Sequence, residues 1–130
     1  MKYLSPHQVL FLHARLIEET GGSHGVRDMG LLLSALGRPQ ATFEEKDLHP
    51  TIYVKAAAVA DSIINNHPFV DGNKRTGIGA AAIFLSLNGY MITASNQELI
   101  ELTMQIAQKR TTIGEIANWF ETHTNLRSTT

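Results

Sequence analysis

Nine consecutive residues, His67-Pro68-Phe69-Val70-Asp71-Gly72-Asn73-Lys74-Arg75, bring together an imidazole, a carboxylate, a glycine, an amide and two cations. That set can handle a phosphate. His67, with an intrinsic pKa of about 6.5, can take the proton of an incoming hydroxyl as a general base. Asp71 can hold Mg²⁺, which binds a carboxylate or two together with substrate phosphates and keeps several waters. Gly72 lets the main chain approach a ligand closely. Asn73, Lys74 and Arg75 fall where a helix begins, and the first N–H groups of a helix lack internal partners and carry partial positive charge. Two cations in a first turn are unfavourable unless an anion arrives to compensate them. Gly72, Asn73, Lys74 and Arg75 are therefore the candidate anion-binding residues, with Lys74 and Arg75 beside His67 as candidate catalytic groups. Each piece taken singly is ordinary, since Asp-Gly-Asn is a common turn and Lys-Arg a common solvated pair. Their order, opening an apolar helix, is what points to a site.

Two apolar segments must hold this loop. Upstream, Ile52, Ala56, Val59, Ala60 and Ile63 form one face of a helix from about Pro50 to Asn66. Downstream, Gly77 to Leu87 contains one polar residue, Ser86, and a helix apolar all round is a buried one. From Asn73 to Asn88 it spans about 24 Å at 1.5 Å per residue. Phe69 is expected to point into the core and fix the loop.

The rest of the chain reads as further helices. Ser5-Pro6-His7-Gln8 is a capping box with proline at the first helical position. Val9, Leu12, His13 and Leu16 continue at helical spacing to about Glu19, where Gly21-Gly22 stops the run. His13 lies on the apolar stripe and is expected to be a core histidine bonded to the backbone. Asp28 caps a short helix, Met29 to Leu36, ended by Gly37. Arg38 to Glu45 has no helical period and is either a flap or hairpin or an unstructured connection. Pro50 suits a helix start. Tyr90 to Thr93 reads as extended. Ser95-Asn96-Gln97-Glu98 and Thr112-Ile113-Gly114-Glu115 are two more capping boxes, opening helices with Leu99, Leu102 and Ile106 and with Ile113, Ile116 and Phe120. The polar tail from Thr124 to Thr130 is expected to fray.

At 130 residues, residues 1–130 form one domain by length. A composition 43% hydrophobic and 18% charged excludes wholesale disorder. A net charge of −1 offers no general basic field for nucleic acid. The absence of cysteine removes disulfides and thiolate chemistry. No apolar run approaches the roughly 20 residues of a membrane span, and no signal-peptide core follows Met1. The expectation is a soluble cytoplasmic protein.

The nonamer resembles the signature of Fic-domain proteins, HxFx(D/E)GN(G/K)R, and with Lys74 it resembles the Doc, or death-on-curing, toxin branch. Ser5-Pro6, Gly25-Val26-Arg27-Asp28, Leu36-Gly37-Arg38-Pro39-Gln40 and Phe84-Leu85 to Asn88-Gly89-Tyr90 resemble that branch as well. The resemblance implies an all-α Fic-fold bundle of about six helices with a small β-hairpin flap beside the active site, at about Pro39 to Glu45. It implies a kinase that transfers the γ-phosphate of ATP, with Mg²⁺, to a protein hydroxyl; the family target is a threonine of elongation factor Tu, and translation stops. His67 would be the general base and Asp71 the metal ligand. Gly72, Asn73 and Lys74 would form the anion-binding helix start, and Arg75 would pair with phosphate oxygens.

Two departures from the general Fic pattern bear on the chemistry. AMP-transferring members of the family it resembles carry a glycine at the Lys74 position and a second arginine at the Ile78 position, so transfer of AMP is the lesser alternative. A non-catalytic helical interaction module is the other. The inhibitory pattern (S/T)xxxE(G/N) is matched nowhere; Thr111 to Glu115 comes nearest but is followed by Ile116. Restraint is then expected from a separate antitoxin.

Overall fold

A computed structural model of the chain describes residues 1–127. The described residues form six α-helices and two small antiparallel sheets: α1 Pro6–Thr20, α2 Met29–Gly37, β1 Thr42–Phe43, β2 Lys46–Asp47, α3 Ile52–Asn66, α4 Asn73–Leu87, β3 Tyr90–Ile92, α5 Asn96–Ala107, α6 Ile113–Thr122 and β4 Thr124–Leu126. The expected all-α bundle with a hairpin flap is what forms. A 3-10 turn, Arg38–Gln40, joins α2 to β1.

Helix α3 lies at the centre, packed most extensively on α4 and α6, with α1 against α4 and α2 against α3. Its five predicted face residues are all buried, as are Ala57, Ala58 and Ile64. No residue of α4 after Lys74 is fully exposed, which agrees with its apolar circumference. Phe69, Phe84 and Phe120 fill the interior. The nonamer joins α3 to α4, so the loop is carried by the most extensively packed pair of helices among the described residues.

Local sequence sets most helix starts. Ser5 and Ser95 make complete capping boxes with Gln8 and Glu98. Asp28 caps α2 through the Leu31 amide. Four boundaries differ from expectation. Helix α3 begins at Ile52 rather than Pro50, because the Thr51 side chain accepts the Val54 amide and takes over as cap. Gly37 does not end α2 in a left-handed turn; it stays helical, at φ −79°, and the chain tightens into the 3-10 turn. The third box is half formed: Thr112 Oγ1 accepts the Glu115 amide but donates to Glu115 Oε1, so the carboxylate never reaches the Thr112 amide.

The fourth difference is at the tail. Thr124–Leu126 pairs with Tyr90–Ile92, in the register Tyr90↔Leu126, Met91↔Asn125, Ile92↔Thr124. Arg127 extends the ladder by donating its amide to Gly89 O. A polar segment can do this because ladder bonds use only main-chain groups. The part of the expected fraying that concerns residues 128–130 lies outside the described residues.

Candidate active site

Helix α4 is the one described helix without a side-chain cap. Its N-cap is Gly72, in the left-handed region at φ 78°, ψ 18°. The main-chain N–H groups of Asn73, Lys74 and Arg75 take no partner among the described residues, and the helix's own ladder starts with the Thr76 amide on Gly72 O. Three donors thus converge where the helix dipole is positive. They open on a cavity of about 390 Å³ lined by His67, Val70, Asp71, Gly72, Asn73, Lys74 and Arg75. All six predicted site residues line it.

The cavity wall is fixed from several sides. Asn73 is buried, and its side chain is spent within the loop: Oδ1 accepts the Phe69 amide at 2.9 Å, and Nδ2 donates to Phe69 O at 3.0 Å. Only its main-chain N–H remains without a partner. Phe69 is fully buried and stacks on His13, with ring centroids 3.8 Å apart. His13 is the expected core histidine, and its backbone partner belongs to the site: Nε2 donates to Asp71 O at 2.8 Å.

Residues 21–28, between α1 and α2, strap the loop down. Val26 bridges Phe69. The Arg27 and Asp28 amides donate to Pro68 O, and the Val70 amide donates to Gly25 O. Arg27 Nε donates to His67 O at 2.6 Å and its Nη2 to Asn66 O at 2.7 Å. A guanidinium here closes the carbonyl end of α3, where positive charge is favoured. Arg27 and Ser23 are functional supports that motif reading missed, as it missed that the backbone partner of His13 lies in the site. Their partners, backbone carbonyls for Arg27 and His13 and the Asp71 carboxylate for the Ser23 amide, are distant in sequence and leave no local pattern.

Asp71 is exposed, and both carboxylate oxygens are oriented. Oδ1 accepts the Gly72 amide at 2.8 Å and Oδ2 the Ser23 amide at 3.1 Å. These two bonds, Ser23's first, hold its pKa below the ordinary 3.8, and the positive charge of Arg75 acts in the same direction. The carboxylate is therefore ionised across the physiological range. A Cβ at Gly22 would lie 2.5 Å from Asp71 Oδ2, so a side chain there would push the carboxylate aside.

His67 is the C-cap of α3, in the left-handed region at φ 52°, ψ 61°. This backbone turns its exposed imidazole to the cavity. Its Nδ1 lies 3.1 Å from Asn65 O. A carbonyl accepts only, so Nδ1 carries the proton and a neutral ring keeps the Nε2 lone pair available.

The two cations sit differently. Lys74 is exposed and makes no side-chain hydrogen bond or ion pair among the described residues. Arg75 leans on the end of α1, donating to Thr20 Oγ1 and, at 3.4 Å, to Gly21 O. A guanidinium has five N–H donors, so others remain for an anion. Past Arg75 the wall turns apolar. A second cavity of about 360 Å³ is lined by Lys74, Arg75, Ile78, Asn96, Leu99, Ile100, Thr103 and Met104. The Ile78 position therefore belongs to an apolar surface, with no second arginine available.

Among the described residues no group of three or more His, Cys, Asp or Glu side chains could hold a metal ion. Asp71 would be the sole protein carboxylate on a cation. An ionised, oriented carboxylate beside a phosphate-sized cradle fits Mg²⁺, which takes its remaining ligands from water and phosphate.

The Fic/DOC family profile matches residues 3–85. Toxin Doc of Mycolicibacterium smegmatis is 50% identical over 74 residues, 57% of this chain and 57% of its own length. The chain thus spans a little over half of that relative. Protein kinase doc of Escherichia phage P1 is 30% identical over 118 residues, 91% of this chain and 92% of its own.

Proposed function

The chain belongs to the Fic/DOC family, and from that premise we propose that it is a Doc-like toxin kinase, transferring the γ-phosphate of ATP to a protein hydroxyl. The observation that carries this reading is the uncapped start of α4, three free main-chain donors beside Lys74, Arg75, Asp71 and His67. The name of the phage relative, a protein kinase, supports the same direction.

Each residue then has a role. The Asn73, Lys74 and Arg75 amides receive phosphate oxygens, as helix N-termini do. Lys74 and Arg75 stabilise the negative charge on the phosphoryl group in transit. His67 Nε2 takes the proton of the acceptor hydroxyl as its oxygen attacks phosphorus; the bond to the β–γ bridging oxygen breaks, and ADP leaves. Asp71 would hold Mg²⁺, which would supply charge neutralisation on the phosphates when bound. The hairpin β1–β2 offers its main-chain edge to the protein substrate by strand addition. Elongation factor Tu is the proposed target, arrest of translation the outcome, and the cytoplasm the place. A separate antitoxin chain supplies the restraint.

Lys74 and Ile78 favour this over transfer of AMP. A lysine side chain fills space that a glycine would leave to the phosphates, and Ile78 lines an apolar wall. Calorimetric titration of ATP in the presence and absence of Mg²⁺ tests the cradle. Wild type is expected to bind; Lys74→Ala weakens binding with or without the metal, and Asp71→Ala removes only the metal's contribution. Lack of nucleotide binding by the wild type would refute the proposal.

A further inference from the structure

The hairpin β1–β2 has no core of its own. Every residue from Thr42 to Leu48 is exposed. Each strand is two residues long, and the hairpin's base is closed by the Leu48 amide on Ala41 O at 2.9 Å. Isolated hairpins of this kind are marginal in water even when longer. The turn adds to the difficulty: Glu44 and Glu45 both sit at positive φ, 51° and 66°, a conformation that side chains other than glycine and asparagine disfavour. Attachment to the body of the protein must therefore hold it in place.

Lys55 supplies that attachment. It projects from α3, is 1% exposed, and is the one ammonium among the largest fully buried side chains. Burial of a cation is costly unless its donors are satisfied. Nζ donates to Pro39 O at 2.7 Å and lies 3.6 Å from Asp47 Oδ2. The Tyr3 ring lies against it, 5.6 Å from ring centroid to Nζ. Pro39 leads into the first strand and Asp47 ends the second, so one cation grips both legs. Lys55 does not line the cavity at His67, and the proposed chemistry has no use for it.

The same base is tied to the site by side chains. Arg38 donates to Asp61 Oδ2 at 2.8 Å and Ser62 Oγ at 2.9 Å. Asp61 Oδ1 accepts from Asn65 Nδ2, and Asn65 O accepts from His67 Nδ1. The flap's register is thereby referred to the helix that ends in His67.

We propose that Lys55 is the positioning residue of the flap: it locks the hairpin to α3 so that the edge offered to the protein substrate stands at a fixed place relative to His67. This rests on the reading of β1–β2 as the substrate edge. Lys55 therefore governs recognition of the acceptor protein and leaves nucleotide binding alone.

Amide hydrogen exchange on the full chain tests it. Lys55→Met is expected to speed exchange at the Leu48 amide by about tenfold or more, the effect of losing a charge-assisted hydrogen bond, with α3 and α4 amides unchanged. Asp47→Ala, at an exposed carboxylate, is expected to speed it about two- to threefold and serves alone if Lys55→Met does not fold. Calorimetric affinity for ATP with Mg²⁺ stays at the wild-type value in both variants. The KM for labelled-phosphate transfer to lysate proteins rises, with the KM for ATP unchanged. Unaltered Leu48 exchange in the variants overturns the proposal, as does a loss of ATP affinity without faster flap exchange. A wild type that transfers no phosphate defeats the kinase reading instead, and the exchange comparison, which involves no nucleotide, still decides the role of Lys55.

Discussion

The nonamer 67–75 and the hairpin 42–47 are both short, irregular and largely polar, yet the protein holds them in opposite ways. The nonamer is pinned from within by Asn73, from below by Phe69 on His13, and from outside by the strap at residues 21–28. The hairpin buries nothing between Thr42 and Leu48 and hangs from Lys55 and Arg38. Groups that must meet a transferring phosphate within fractions of an ångström need rigid supports. An edge that must accept another protein's backbone can remain adaptable, provided its base is fixed. On the proposed function, pre-organisation is spent where charge would develop, and freedom is left where shape would be matched.

This contrast can be broken at its strongest point. Asn73→Ala leaves the buried amide and carbonyl of Phe69 without partners, which costs about 1–3 kcal/mol for each group. An equilibrium urea titration is expected to show a loss of about 3 kcal/mol. Phe43→Ala, on an exposed flap residue, is expected to change stability by no more than about 0.5 kcal/mol. Equal losses in the two variants would erase the distinction between the regions.

A smaller change sharpens it. Gly22→Ala drives a methyl group against Asp71 Oδ2. Displacing a carboxylate's supporting shell typically weakens metal affinity about 10-fold or more. Mn²⁺ binding in the presence of ATP, followed by electron paramagnetic resonance, is expected to fall by that factor, while ATP binding without metal is unchanged.

The smallest effect is one of pH. The folded pKa of Asp71 lies below its unfolded value, because the Ser23 and Gly72 amides bond the ionised form. Its contribution to stability is therefore complete above the ordinary 3.8 and disappears as pH falls through the folded value. Asp71→Asn is expected to lower the urea midpoint slightly at neutral pH, where the wild type keeps the whole contribution, and to converge with the wild type as pH falls through the folded value, which flattens the acid limb.

The helices were legible in the sequence because their signals are local: Ser5 with Gln8, Ser95 with Glu98, and the apolar run of α4 each decide an element within a few residues. The loop was legible because its chemistry is contiguous. The tertiary partners were not. Lys55 reads as a polar interruption in a helix face, and nothing nearby announces Pro39 O as its acceptor. Arg27 acts on the His67 carbonyl and the Ser23 amide on the Asp71 carboxylate, each roughly 40 or more residues away in the chain. The tail was read from its polarity, which governs burial but does not prevent main-chain pairing with β3.

The central claim is that the start of α4 presents the terminal phosphate of ATP to a hydroxyl deprotonated by His67. Parallel incubations with γ-labelled and α-labelled ATP, with wild type and His67→Ala, test it most directly when read with the mass of the modified protein. The account predicts γ-label only, an adduct of one phosphate, and a fall of about 10²–10⁴-fold in His67→Ala without loss of thermal stability. Label arriving from the α-phosphate, an AMP adduct, or equal transfer by the two proteins would contradict it.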